Sequence, residues 1–147
     1  MFQLPPVYFE KLLESSLDIV IAVDRKGQIT FYNDGASQTL GYTMMEMKGK
    51  RVTIVYPTIE EARRVMSAMR HGEAGEQGKI KNFETVLVNK TGEQIPVAIS
   101  GSLIYDETGQ EIGSIGFLKD LREIRRRDQL ATLGELAVGL AHRINNP

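Results

Sequence analysis

Three tetrapeptides of one kind divide this chain: Asp24-Arg25-Lys26-Gly27, Asn89-Lys90-Thr91-Gly92 and Asp106-Glu107-Thr108-Gly109. Each opens on a short side chain whose oxygen can accept hydrogen bonds from the turn backbone. Each closes on glycine, which tolerates positive φ. Such turns close hairpins, so the flanking segments are expected to pair as five antiparallel strands. Residues 19–23 are apolar and mostly β-branched, and 29–32 follow the first turn; later strands are expected over about 82–89, 93–105 and 110–119. In the longest of these, Ile95, Val97, Ile99, Leu103 and Tyr105 share one face at period two, with Gly101 between them. That alternation fits a half-buried antiparallel sheet.

The period changes across 34–72. Asp34 opens a short helix ending near Gly41, and Thr43 opens another turn through Met47, stopped by Gly49. Thr58 is a fitting N-cap for a longer helix over 59–70, with Glu60 and Glu61 in its first turn and His71-Gly72 at its end. Ala62, Val65, Met66 and Met69 are its apolar positions, and the Gly- and charge-rich stretch 72–81 reads as a mobile link. Near the start, Phe9, Leu12, Leu13 and Leu17 follow helical spacing around Glu10, Lys11 and Glu14. The expected fold class is therefore α+β: a five-stranded antiparallel sheet with short helices on one face. Residues 1–17 form an N-terminal amphipathic helix, 18–120 the sheet domain, and 121–147 an outgoing coiled-coil helix.

That last segment is rich in Leu, Ala, Arg and Glu. Leu130, Leu133, Ala137, Leu140 and Ile144 repeat at alternating three and four, a heptad seam. Leu121 and Ile124 do not continue its register, which implies a register break near Arg125–Asp128. His142 falls on the helix face nearly opposite the seam, so it faces solvent if the helix pairs through that stripe. The cluster Arg122, Arg125, Arg126 and Arg127 is expected on a solvated helix face, alternating with Glu123 and Asp128.

Charge narrows the function classes. With 18 Lys+Arg against 19 Asp+Glu, the net charge of −1 gives no whole-chain attraction to nucleic acid or anionic membrane. Cysteine is absent, which removes disulfides, thiolate metal sites and any cysteinyl flavin adduct. No stretch is apolar enough for a membrane segment, and the expected location is cytoplasmic. Two histidines 71 residues apart, His71 and His142, give no metal-ligand spacing, so no metal is expected.

Residues 9–124 resemble a PAS domain. The matching pieces are Phe-Glu-Lys-Leu-Leu-Glu-Ser-Ser (9–16), Ile-Ala-Val-Asp (21–24), Gly-Gln-Ile-Thr-Phe-Tyr-Asn (27–33), Leu-Gly-Tyr (40–42), Asn-Lys-Thr-Gly (89–92) and the stretch 112–123. Residues 128–147 resemble the phosphoacceptor box of sensor histidine kinases. Together the two imply the cytoplasmic signal-input region of a two-component kinase, homodimeric through its first helix and its outgoing coiled coil. The resemblance makes His142 the phosphoacceptor, because a neutral, accessible imidazole can attack the γ-phosphate of ATP. It gives Asn146 a role in orienting water for dephosphorylation and matches Pro147 to the family's kink. A response regulator receiver domain is the implied partner. ATP would bind a catalytic domain outside these residues, so the polypeptide is expected to be inactive as a kinase alone. Arg143 stands where the family usually has an acidic residue beside the histidine, and a cation there cannot accept a proton.

The resemblance also implies a space between sheet and helices, drawing on Val23, Phe31, Ile54, Val65, Met66, Met69, Phe83, Ile99, Leu103 and Phe117. These residues fit either a filled core or a small-molecule pocket. Haem is not expected, since the helix over 59–70 has no histidine and His71 is better placed to cap its last carbonyls. Asp120 matches the family's link from last strand to outgoing helix, although Arg122 replaces the usual hydroxyl residue. The alternative function is a non-catalytic dimerisation or interaction module that binds no ligand.

Overall fold

The computed structural model describes residues 5–72 and 76–145. The elements run α1 Pro6–Ser15, β1 Ile19–Asp24, β2 Ile29–Tyr32, α2 Asp34–Leu40, α3 Met44–Met47, a 3-10 turn Val52–Val55, α4 Ile59–His71, β3 Lys79–Val88, β4 Gln94–Tyr105, β5 Glu111–Asp120 and α5 Arg122–Asn145. The strands form one antiparallel sheet in the order β2-β1-β5-β4-β3.

All three turns are built as their sequence requires. Asp24 Oδ1 accepts from the amides of Lys26 and Gln28, Asn89 Oδ1 from Thr91 and Glu93, and Asp106 Oδ1 from Thr108 and Gln110. The closing glycines, Gly27, Gly92 and Gly109, have φ of 82°, 89° and 84°. The pairing that closes the sheet is β1 with β5, between segments some ninety positions apart, with Ile21 opposite Gly116 and Val23 opposite Ser114.

One face of the sheet carries the core. Ile19, Ile21, Ile29, Tyr32, Leu87, Ile95, Val97, Ile99 and Leu118 pack against Ala36, Leu40, Met47, Val55, Val65, Ala68 and Met69 from the helical segments. The caps agree with the local sequence. Thr43 and Glu46 form a reciprocal capping box, and Thr58 Oγ1 accepts from the Glu61 amide at 3.1 Å. Helix α2 opens at Asp34 as expected, with Asn33 as its cap. One boundary differs from expectation. Strand β3 starts at Lys79, inside the stretch read as a link, because Ile80 pairs with Gly101 and is buried.

Asn33 ties three elements together. It is 1% exposed. Its Oδ1 accepts from the amides of Val20 and Ala36, both at 2.9 Å, and its Nδ2 donates to the carbonyls of Leu13, Ser16 and Asp18. One side chain thereby satisfies the first turn of α2 and fixes how the chain leaves α1, which has no buried residue of its own.

Candidate functional site

A cavity of about 580 Å³ lies between the core face of the sheet and α4. Its floor comes from Ile21, Val23, Ile99, Ser114, Gly116 and Leu118, and its walls from Val52, Val55, Tyr56, Ala62, Val65, Met66 and Met69. Glycine on facing strands makes the room. Gly101 is paired with Gly116. A Cβ at Gly116 would sit 3.1 Å from Ile99 Cδ1, and one at Gly101 would sit 2.8 Å from Met69 Cε. Thr53, Tyr56 and Ser114 bring hydroxyl-bearing side chains to this lining. Burial, helped by the Glu61 charge, pushes the Tyr56 phenol well above its ordinary value, so it stays a neutral donor. Ser114 is 7% exposed on β5.

Of the residues expected at the pocket, Val23, Val65, Met66, Met69 and Ile99 line it. Leu103 is buried on the same face but stands outside the lining. Phe83 also lies on that face, half-buried, with its ring 4.6 Å beneath the Arg64 guanidinium. Three placements correct the expectation. Phe31 is opposite Ala22, and Phe117 is opposite Val20 and Ser100. Both therefore point to the other face of the sheet, while their neighbours Tyr32 and Leu118 point inward. Ile54 is 45% exposed and lies beside Pro57 on a separate shallow depression. His71 is where a C-terminal cap belongs, with Nδ1 2.9 Å from the Ser67 carbonyl oxygen.

The sequence reading overlooked Tyr56 and Ser114, and it overlooked the cavity's charged rim of Arg25, Lys26, Arg51, Arg63 and Arg70. One signal for part of the rim was available. Ile59, Arg63, Met66 and Arg70 recur at helical spacing beside the buried stripe of Ala62, Val65 and Met69.

From the cavity, polar contacts lead toward α5. Glu61 on α4 takes both Nε and Nη2 of Arg64 at 2.8 Å and the hydroxyl of Thr85 on β3. The Arg64 and Thr85 hydrogen bonds lower the Glu61 carboxyl to about 2. Arg64 Nη2 also donates to the Glu84 carbonyl at 2.9 Å, and Arg125 on α5 reaches the Glu84 carboxylate at 3.2 Å.

The exit of α5 is clamped as well. Asp120 accepts from the Arg122 amide at 2.9 Å and from its guanidinium at 2.8 to 3.2 Å, while Arg122 Nη1 reaches Glu93 at 3.1 Å. Burial pushes the Asp120 carboxyl up, and these hydrogen bonds outweigh it, leaving it below its ordinary value. Arg122 and Arg125 thus reach back onto the sheet domain, whereas Arg127 pairs along the helix with Glu123.

Beyond its first turn α5 is exposed as far as Ile144 and continuous through 125–128. Leu130, Leu133, Leu140 and Ile144 are 58 to 81% exposed, and His142 is exposed in the last turn. Asn146 and Pro147 lie outside the described residues. Among the described residues no helix is long and apolar enough to cross a membrane.

Comparison with known proteins agrees with this architecture. The chain is 29% identical to the signal transduction histidine-protein kinase AtoS of Escherichia coli (strain K12), over 92% of its own length and 22% of that protein's. It is 25% identical to sporulation kinase C of Bacillus subtilis (strain 168), over 93% and 35%. It therefore spans well under half of either relative. Among solved structures, the PAS domain of a protein from Colwellia psychrerythraea superposes with a TM-score of 0.69 at 21% identity, covering 80% of this chain and 98% of that one. The profile described as PAS domain matches residues 17–123, from the end of α1 through the clamp that launches α5, and the chain belongs to the PAS domain family.

Proposed function

We propose that this chain is the signal-input region of a sensor histidine kinase, working in the cytoplasm, where ATP and receiver domains are found. A ligand or packing change at the cavity acts on α4 and the sheet, and α5 carries the change to His142, the phosphoacceptor. The chain works as a homodimer. Its phosphoryl group comes from ATP held by a catalytic domain outside these residues and goes on to a response regulator receiver domain.

The observation that carries this reading is the junction of α5. The helix is fixed at its root by Asp120–Arg122 and Arg125–Glu84, while the seam beyond is left uncovered. A clamped root on a helix about 36 Å long, with an apolar seam along its outer half, suits transmission of small movements along a paired helix. Exposed Val7, Tyr8, Phe9 and Leu12 on α1 offer a second apolar surface to the other subunit.

Single cysteines test the pairing. Leu133→Cys lies on the seam and is expected to form a disulfide-linked dimer quickly under mild oxidation. Glu135→Cys, on the opposite helix face, is expected to react slowly. Equal cross-linking at both positions, or a monomer by light scattering, would remove the helical dimer from the account.

A further inference from the structure

We infer that the cavity binds a small organic oxyanion, with its apolar body over the sheet and its carboxylate or phosphate at the cationic rim. This names the ligand class for the input site and rests on the reading of that cavity as the sensing site.

The charge distribution is the first ground. The chain carries a net charge of −1. The cavity nevertheless gathers five cations, Arg25, Lys26, Arg51, Arg63 and Arg70, against two carboxylates, Asp24 and Glu111. Both carboxylates are already engaged. Asp24 holds the turn amides of Lys26 and Gln28, and Glu111 takes the Arg70 guanidinium at 3.0 Å. Among the described residues Arg25, Lys26, Arg51 and Arg63 make no ion pair. They come from three separate places: the β1–β2 turn, the residue before the 3-10 turn, and one face of α4. A solvated helix face does not explain their convergence on one opening, and guanidinium groups suit carboxylate and phosphate.

The interior supplies the second ground. Ile21, Ile99, Leu118 and Met69 give an apolar bed. The hydroxyls of Tyr56 and Ser114 line the same space and make no hydrogen bond among the described residues. A purely apolar occupant would leave both unused. A volume of about 580 Å³ fits a small-molecule ligand.

The test uses three probes with one apolar body: phenylacetate, phenyl phosphate and neutral 2-phenylethanol. Each is titrated into the 15N-labelled chain, and amide shifts are followed. At least one anion should move the amides of Met66, Ser114 and Gly116 saturably and bind about tenfold or more tightly than 2-phenylethanol. The tighter anion distinguishes carboxylate from phosphate. The doubly substituted Arg51→Gln/Arg63→Gln protein, altered only at exposed side chains, should lose about tenfold for the anion and nothing for the alcohol. Lys119→Gln, on the opposite sheet face, should change neither. The inference is overturned if the alcohol binds as tightly as both anions, if shifts stay at the rim, or if no probe saturates. Light scattering on the same samples keeps the two readings apart. A dimer without anion preference sinks the ligand class alone, and a monomer with anion preference sinks the helical dimer alone.

Discussion

At the scale of single residues, Asn33 and Glu61 do most to hold the site in place. Asn33→Ala removes five hydrogen bonds from a side chain that is 1% exposed and leaves buried backbone groups without partners. The expected loss is about 2–4 kcal/mol in urea unfolding, and a loss below about 1 kcal/mol would contradict the hub role. Glu61 makes the clamp between α4 and β3 pH-dependent. Its folded carboxyl is lowered from 4.5 to about 2, so its stabilisation is complete above the ordinary value and fades as pH falls through about 2. Glu61→Gln should therefore flatten the acid dependence of stability between those two pH values; an unchanged slope would show that the clamp does not couple to protonation. The arginine beside His142 belongs at this scale too. Arg143→Glu supplies a carboxylate able to take a proton, and it should raise phosphorylation of His142 by about tenfold or more in a kinase context.

Among the elements, the root of α5 bears most on function. Asp120→Ala removes acceptors for both the amide and the guanidinium of Arg122. Amide exchange over residues 122–126 should quicken by about tenfold while β4 and β5 stay protected; unchanged exchange would make the clamp incidental. The elements also show how much could be read in advance. The hairpins were legible because each is local, with an Asx side chain and a glycine setting the turn. The β1–β5 pairing was not, because no local signal joins residues so far apart in sequence. Face assignment failed for a different reason at Phe31 and Phe117. Phe117 lies between Gly116 and Leu118, so period-two alternation cannot choose its face. Phe31 shares its parity with the core residue Ile29, and the register shift between β1 and β2 breaks that alternation. The rim cations were unreadable as a group because the β1–β2 turn, Arg51 and α4 meet only after folding.

At the scale of the whole molecule, the cavity in the sheet domain and the histidine at the far end of an exposed helix are the two ends of the proposed relay. The seam shift near residues 125–128 suggests two packings of the paired helices, which a signal could exchange. Disulfide locks at position 124 or 133 should then drive kinase output in opposite directions, and equal output from both would argue against two packings. The most direct test is phosphotransfer itself. Residues 1–147 are joined to the second dimerisation helix and ATP-binding domain of a sensor kinase relative, and labelling from γ-labelled ATP is followed. The account predicts acid-labile label that is lost in His142→Gln and rises in Arg143→Glu. Label that persists in His142→Gln, or is absent even with Arg143→Glu, would contradict it.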